Sequence, residues 1–186
     1  WRMNPSSKVV YITFDDGPIP ECTPLVLDIL SKYGIHATFL MVAENAQRYP
    51  ELLQRVREEG HSIGNHTYHH LRGCKTTKQT YMQDIAIAKQ VLRTSLFRPP
   101  HGRMTCSQKK ALREAGYQIY LWDVLTHDYN PKYTPEKMLR IVQRFTRNGS
   151  IIVLHDSLKS KDRMLQALPQ IIKWLQTEGY TFQTLK

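Results

Sequence analysis

The chain has 186 residues, 41% of them hydrophobic, which is enough for the packed core of one domain, residues 1–186, and excludes a disordered polymer. Its net charge of +10 comes from 26 basic and 16 acidic residues, but the basic residues are scattered and do not alternate with aromatic ones, so we expect no nucleic-acid partner. No apolar stretch reaches the roughly 18 residues that a membrane span requires, and we predict none.

Short apolar runs alternate with amphipathic segments along the chain. Strands are predicted at residues 9–14, 37–41, 61–66, 96–98, 118–122, 150–155 and 181–185. Helices are predicted at residues 22–33, 50–59, 77–94, 107–115, 135–147 and 164–177. We expect Thr134 and Ser107 to cap helix N-termini. Several helices are expected to stop at glycine, namely at Gly34, Gly60, Gly116, Gly149 and Gly179.

This alternation predicts an α/β fold in which helices cover parallel strands. Seven strands in 186 residues are few for a complete eight-fold barrel, which takes about 250 residues. We therefore predict a distorted (β/α)7-8 barrel, with an open doubly wound sheet as the alternative. Both architectures bind ligands at the carboxyl ends of their strands.

Chemically capable side chains follow the predicted strands where each strand ends. Asp15 and Asp16 follow the first strand, His66 follows the third and His155 ends the sixth. Residues 98–102 and 122–129, which follow the fourth and fifth strands, add further polar groups. We expect all of these residues to meet at one rim of the sheet.

Two adjacent carboxylates, Asp15 and Asp16, require different roles, because like charges at this distance oppose each other's ionisation. His66 and His70 are four residues apart, so on a helical turn they would share a face and suit one metal ion. Asp16 can be the third ligand of that ion. Asp15 then remains free to act as a general base on the water that the metal activates, and His155 is placed to act as a general acid.

The N-terminus and the cysteines bear on the location of the protein and on its disulfide content. The chain begins with Trp1 rather than Met, so we expect an N-terminal part, such as a signal, to have been removed and favour an extracytoplasmic or cell-envelope location. Three cysteines, Cys22, Cys74 and Cys106, lack C-x-x-C spacing, which argues against a disulfide framework or a structural zinc site. One disulfide stays open, although partly buried thiols are expected. We also expect a monomer.

Five motifs together resemble the polysaccharide deacetylase family, whose catalytic unit is the NodB-homology domain, a carbohydrate esterase. The combination covers residues 9 to 155, and the segment "EGYTF" (178–182) is also similar. The motifs are "TFDDGP" (13–18), "HTYHH" (66–70), "RPPHG" (98–102), "DY" (128–129) and "LH" (154–155).

This resemblance implies a distorted barrel and metal-dependent hydrolysis of N-acetyl groups, sometimes O-acetyl groups, on a glycan substrate. It implies a divalent metal, expected to be Zn²⁺, with Co²⁺, Ni²⁺, Mn²⁺ or Fe²⁺ as alternatives. The implied roles are Asp15 as base, Asp16, His66 and His70 as metal ligands, Arg98 as partner of the base, His155 as acid and Asp128 as partner of the acid. The implied substrate contacts are Pro100, His101, Gly102, Tyr129 and Leu154.

Three positions depart from the family motifs. His101 stands where the third motif often has Tyr, and Leu125 and Tyr129 replace the first Asp and the Trp of the fourth. These changes put the identity of the glycan in doubt rather than the catalysis. The alternatives to an N-deacetylase are an O-acetyl esterase, a hydrolase of small cyclic amides and a non-catalytic glycan-binding module. Trp122, after an apolar strand, is interpreted as a core residue.

Overall fold

In the computed structural model, which describes residues 2–186, the strands form one parallel sheet. Its order is β5-β4-β3-β2-β1-β7-β6, and β8 pairs with the beginning of β1. The strands are β1 (Val9–Asp16), β2 (Thr38–Met41), β3 (Ser62–Asn65), β4 (Leu96–Phe97), β5 (Gln118–Ile119), β6 (Val124–Leu125), β7 (Ser150–His155) and β8 (Thr181–Phe182).

The sheet is strongly curled. Strands β5 and β6 stand at opposite ends of the order, and in a flat sheet they would lie about 29 Å apart at the usual spacing of neighbouring strands. Ile119 and Val124 are joined by residues 120–123 alone, and a chain of that length spans at most about 19 Å. The two edges must therefore approach each other, which confirms the distorted barrel and excludes the open doubly wound sheet.

Helices cover the outside of this sheet and bury an apolar stripe against it. In the last helix, the side chains of Leu168, Ile171, Ile172 and Leu175 are completely buried, as the i, i+3, i+4 spacing predicts. The helices are α1 (Thr23–Lys32), α2 (Ala43–Arg48), α3 (Pro50–Glu58), α4 (Lys78–Leu92), α5 (Cys106–Glu114), α6 (Pro135–Phe145) and α7 (Lys161–Thr177).

Most predicted elements are found within a few residues, but some local predictions were wrong. Thr105, not Ser107, caps α5, because its side chain accepts from the Gln108 N–H while the Gln108 side chain returns to the Thr105 N–H. The predicted strand 118–122 ends at Ile119. Its next carbonyl groups, those of Tyr120 and Leu121, instead accept hydrogen bonds from a buried arginine side chain.

The structure also tests the predictions about the terminal glycines, the cysteines and membrane-spanning helices. Four of the glycines that were expected to end helices, Gly34, Gly60, Gly116 and Gly179, directly follow a helix C-cap and have positive φ, as a left-handed terminal residue requires. The prediction for Gly149 was wrong, because α6 ends at Phe145 and Gly149 lies in the turn before β7. All three cysteines are free, and Cys74 and Cys106 are exposed rather than partly buried. No helix in the described part of the chain is both long and apolar enough to cross a membrane. That residues 1–186 form a single domain stays a prediction.

Candidate metal centre

The carboxyl ends of the central strands open into one cavity. Asp15 at the end of β1 pairs in register with His155 at the end of β7, and Asp16 pairs with Met41 at the end of β2. Parallel strands place these ends on the same rim. The cavity has a volume of about 370 Å³ and is lined by Asp15, Asp16, His66, His70, His101, Trp122, Leu125, Tyr129, His155, Ser157 and Lys159.

Three side chains in this cavity form a group suited to a metal ion. One potential ligand atom from each of Asp16, His66 and His70 lies within 4.8 Å of the others. The Nε2 atoms of His66 and His70 lie 3.9 and 3.4 Å from Asp16 Oδ1. A carboxylate and two imidazoles are a donor set that zinc and other divalent transition metals accept.

The protonation state of His66 also suits the binding of a metal cation. Its Nδ1 lies 2.8 Å from the Arg98 carbonyl oxygen, and because a carbonyl only accepts, Nδ1 must carry the hydrogen and Nε2 keeps its lone pair. Burial lowers the pKa of His66 to about 3, so this ring is neutral at every working pH. Burial also lowers the pKa of His70.

The carboxylate of Asp16 also favours a cation at this position. Burial raises its pKa to about 6, and the neighbouring carboxylate of Asp15 adds to the rise. The two imidazoles nearest to Asp16 are neutral, and the charges of His155 and Lys159 do not outweigh the burial of its carboxylate. A divalent cation would supply a closer positive charge, so the residues present fit the metal that the sequence predicts.

The segment that carries the two histidines is not a helical turn, and the prediction that they share a helix face was wrong. Residues 66–72 form an irregular loop in which Thr67 and His70 have positive φ. The Asn65 side chain accepts from the Thr67 N–H, and Asp84 accepts from the Tyr68 and His69 N–H groups. These bonds replace helical ones, and the loop itself aims both imidazoles at Asp16.

Asp15 is held beside the candidate metal ligands by a buried arginine. The Nη1 of Arg98 donates to Asp15 Oδ1 at 2.6 Å and to Thr13 Oγ1 at 2.8 Å. Burial alone would raise the pKa of Asp15, but the Arg98 charge, with a smaller contribution from His155, holds it below its ordinary value. Asp15 is therefore ionised and fixed in position, as a proton acceptor must be.

His155, at the end of the neighbouring strand β7, has the opposite electrostatic setting. Asp128, fully buried, accepts from His155 Nδ1 at 2.7 Å and from its backbone N–H at 2.6 Å. Burial lowers the pKa of His155, but Asp128 outweighs it and raises the value to about 9. The imidazole therefore carries a proton at neutral pH, which suits a proton donor.

The carboxyl group of Asp156 packs against the segment that follows Asp16. Asp156 is fully buried, its N–H donates to the Asp15 carbonyl oxygen, and its Oδ2 accepts from Thr23 Oγ1 at 2.6 Å. The Thr23 hydroxyl oxygen in turn accepts from the Ile19 N–H at 2.6 Å. These contacts tie the segment after Asp16 to β7.

Gly17 is required for this close packing, since an added Cβ would lie 2.1 Å from Asp156 Oδ2. We expect Gly17→Ala to lower the free energy of unfolding by about 1–3 kcal/mol through overpacking, measured by denaturant unfolding. In an Asp156→Ala background, where the opposing carboxyl group is absent, the same substitution should cost less. Equal costs in the two backgrounds would contradict this account of Gly17.

Other predicted contacts are distributed around the cavity. His101 and Tyr129 line it, whereas Gly102, at φ 67, packs against the Trp122 ring. Leu154 is fully buried in the main core cluster, and Pro100 faces a neighbouring cavity. The roles of these residues in substrate binding stay predictions.

Several residues around the site were not predicted from the sequence. Trp122 is half-buried and lines the cavity rather than lying wholly in the core, with the Arg98 guanidinium 5.6 Å from its ring centre. Asn45, in the unpredicted helix α2, donates to the Asp16 carbonyl oxygen. Ser157 and Lys159 line the cavity two and four residues after His155, and their position after a rim residue is the signal that could have identified them.

Comparisons with known proteins agree on one family. A family model described as polysaccharide deacetylase matches residues 2–120. A peptidoglycan-N-acetylglucosamine deacetylase of Bacillus cereus is 37% identical over all of this chain and 90% of its own length. The Bacillus subtilis peptidoglycan-N-acetylmuramic acid deacetylase PdaC is 30% identical over 98% of this chain and 39% of its own.

A solved structure extends this similarity to three dimensions. The crystal structure of the Bc1960 peptidoglycan N-acetylglucosamine deacetylase, in complex with an N-oxidanyl-benzamide compound, superposes with a TM-score of 0.94 and 32% identity. The match covers 97% of this chain and 87% of that one.

Proposed function

The chain belongs to the polysaccharide deacetylase family, and from that premise we propose that it is a metal-dependent hydrolase that removes N-acetyl groups from peptidoglycan. One observation carries the proposal. An ionised carboxylate, Asp15, and a protonated imidazole, His155, line the same cavity as the metal-binding group of Asp16, His66 and His70. A peptidoglycan substrate also agrees with the expected extracytoplasmic location.

Asp16, His66 and His70 would hold the metal, and zinc suits this donor set. When bound, a divalent cation supplies a Lewis acid that polarises a carbonyl and favours the ionisation of water. The site residues support this chemistry by keeping both imidazoles neutral. The Arg98 carbonyl group fixes which nitrogen of His66 faces the site.

The two proton transfers are assigned to the two oppositely charged groups that line the cavity at the ends of β1 and β7. Asp15, kept ionised by Arg98, takes a proton from the attacking water. His155, kept protonated by Asp128, gives its proton to the departing amine. An amine leaves only after protonation, so the raised pKa of His155 serves this step directly.

The remaining residues orient the substrate. We place the backbone N–H of His101 where the oxyanion develops, and the rings of Trp122 and Tyr129 where they contact the sugar. The Tyr129 ring stands edge-on to His155, with the ring centres 5.0 Å apart. Tyr129 thus also limits the movement of the proton donor.

An acetate-release assay on defined glycans tests the proposal. We expect N-acetylated peptidoglycan fragments to release acetate after the protein is stripped with a chelator and reconstituted with Zn²⁺, and the stripped protein to release none. Co²⁺, Ni²⁺, Mn²⁺ and Fe²⁺ in parallel identify the most effective metal. Release from O-acetylated glycans alone would support the esterase alternative, and glycan binding without release would support the binding module.

Removing the carboxylate behind the acid should change the pH profile. Asp128 raises the pKa of His155 to about 9, and activity must fall as pH rises through that pKa because the acid loses its proton. In Asp128→Asn, burial still lowers the pKa of His155, and only the smaller contributions of Asp15 and Asp16 oppose it. We therefore expect the alkaline limb of the kcat/KM profile to move to lower pH.

Tyr129→Phe is the matched control for this measurement. It alters a residue that contacts the same imidazole but carries no charge, so the alkaline limb should stay in place. An unshifted limb in Asp128→Asn would assign the acid to another group.

A further inference from the structure

A second cavity adjoins the proposed catalytic one. It has a volume of about 400 Å³ and shares His101 as a wall with the catalytic cavity. Its other lining residues come from two rim segments, residues 72–75 and residues 100–103. A glycan with its acetyl group in the catalytic cavity would therefore extend a neighbouring sugar toward this second cavity.

The charges in this second cavity are all of one sign. Arg72, Lys75 and Arg103 line it, and the lining contains no Asp or Glu. Within residues 2–186, none of these three side chains forms an ion pair. Like charges gathered on a concave wall repel each other and attract anions.

The two chain segments that carry these charges are held together by hydrogen bonds and close packing. The fully buried Gln108 donates from its side-chain amide to the Gly73 and Thr76 carbonyl oxygens and accepts from the Thr105 N–H. A Cβ on Gly73 would lie 3.0 Å from the Arg103 carbonyl oxygen, so the two rim segments are in close contact. The three basic side chains therefore extend from one packed surface rather than from two independent loops.

His101 links the two cavities. Its Nε2 accepts from Arg72 Nε at 3.1 Å, and its ring centre lies 5.0 Å from that of His70. An anion in the second cavity would thus lie one side chain away from a proposed metal ligand. This places the anion on the same substrate molecule as the acetyl group.

We propose that this second cavity, the Arg72–Lys75–Arg103 cavity, binds a carboxylate of the glycan next to the sugar that is deacetylated. The inference rests on the proposed function and narrows it to acidic glycans. In peptidoglycan such a carboxylate has two sources, the lactyl group of the neighbouring muramic acid or the stem peptide attached to it. Neutral chitin-like chains have neither.

Three substrates test the proposal with the zinc-loaded enzyme. They are chitotetraose, a peptidoglycan tetrasaccharide with free lactyl carboxylates, and the same tetrasaccharide with its stem peptides. The measured quantity is the ratio of kcat/KM for each acidic glycan to kcat/KM for chitotetraose. We expect Lys75→Gln/Arg103→Gln to lower the ratio about tenfold, since an exposed ion pair contributes up to about a fivefold factor. The acidic glycan whose ratio falls identifies the carboxylate.

The matched control is Lys110→Gln/Arg113→Gln, which removes the same charge from exposed positions of α5 outside the cavity lining. A loss of preference in the cavity variant alone supports the proposal. An equal loss in both variants would attribute the preference to the net charge and overturn it, as would an unchanged ratio. Absence of acetate release from all three glycans would instead contradict the proposed function itself.

Added salt gives an independent readout. Raising the ionic strength should reduce the ratio of the unsubstituted enzyme, because exposed charges are screened over about 8 Å at physiological salt. The cavity variant should respond less, since it has lost the contacts that salt weakens. An equal response of both proteins would contradict a local anion site.

Discussion

Asp15→Asn is expected to lower kcat for acetate release by about two to four orders of magnitude, the usual contribution of a general base, while the protein still binds its metal. Asn has the shape of Asp and can still accept from Arg98 through its carbonyl oxygen, but it cannot take a proton from water. Asp15 is not among the three residues proposed as metal ligands. Steady-state acetate release and metal content measured on the same preparation check both halves of this result.

The same substitution leaves a buried charge without its partner. Arg98 is fully buried, and its ion pair with Asp15 is 2.6 Å long, so Asp15→Asn should also destabilise the fold; breaking such a pair typically costs about 3–5 kcal/mol. A thermal melt is needed to establish that the variant is folded at the assay temperature. A folded variant with lost turnover separates the loss of the base from the loss of the structure.

Asp28→Asn is the control for removal of a carboxylate. Asp28 also pairs with an arginine, Arg55, at 2.6 Å, but its side chain is 63% exposed and does not line the catalytic cavity. It should change neither turnover nor metal content. Near-normal turnover in Asp15→Asn would show that another group accepts the proton and that the assignment of the base is wrong.

The layout of the barrel was predictable because it depends on local periodicity. Apolar runs of strand length alternate with amphipathic segments, and this pattern fixes parallel strands covered by helices. The short elements escaped prediction for the same reason. Strand β6 consists of two residues inside the polar segment 122–129, and helix α2 has six residues, so neither belongs to a longer apolar run or displays a period. Their structure depends on contacts such as the Asn45 bond to the Asp16 carbonyl oxygen.

The residues of the candidate site could be predicted from the sequence, but the path of the chain that positions them could not. The rule that ligands bind at strand carboxyl ends placed Asp15, Asp16, His66 and His155 together, and the structure brings them into one cavity. The path of the chain between His66 and His70 could not be read, because the Asp84 carboxylate from α4 holds that loop. Contacts between segments far apart in the sequence leave no local pattern.

His66→Ala is expected to reduce metal affinity by more than about 100-fold, since even the loss of a group behind a ligand typically costs 10- to 100-fold. Acetate release should fall to the level of the stripped protein. The Nε2 of His66 is already oriented by the Nδ1 bond to the Arg98 carbonyl group, and alanine offers no replacement donor. Metal content after dialysis and the rise in Tm on adding Zn²⁺ measure the loss, because a ligand stabilises only a protein that binds it.

His69→Ala provides the matched control within the same loop. His69 lies between the two proposed ligands, but its Nδ1 faces Asp84 Oδ1 at 2.5 Å and its side chain is 54% exposed. Asp84 would still hold the loop through the Tyr68 N–H, so this variant should keep its metal and most of its zinc-induced rise in Tm. Metal retained in His66→Ala would remove it from the ligand set. Metal lost equally from both variants would mean that the shape of the loop, rather than the His66 imidazole, determines binding.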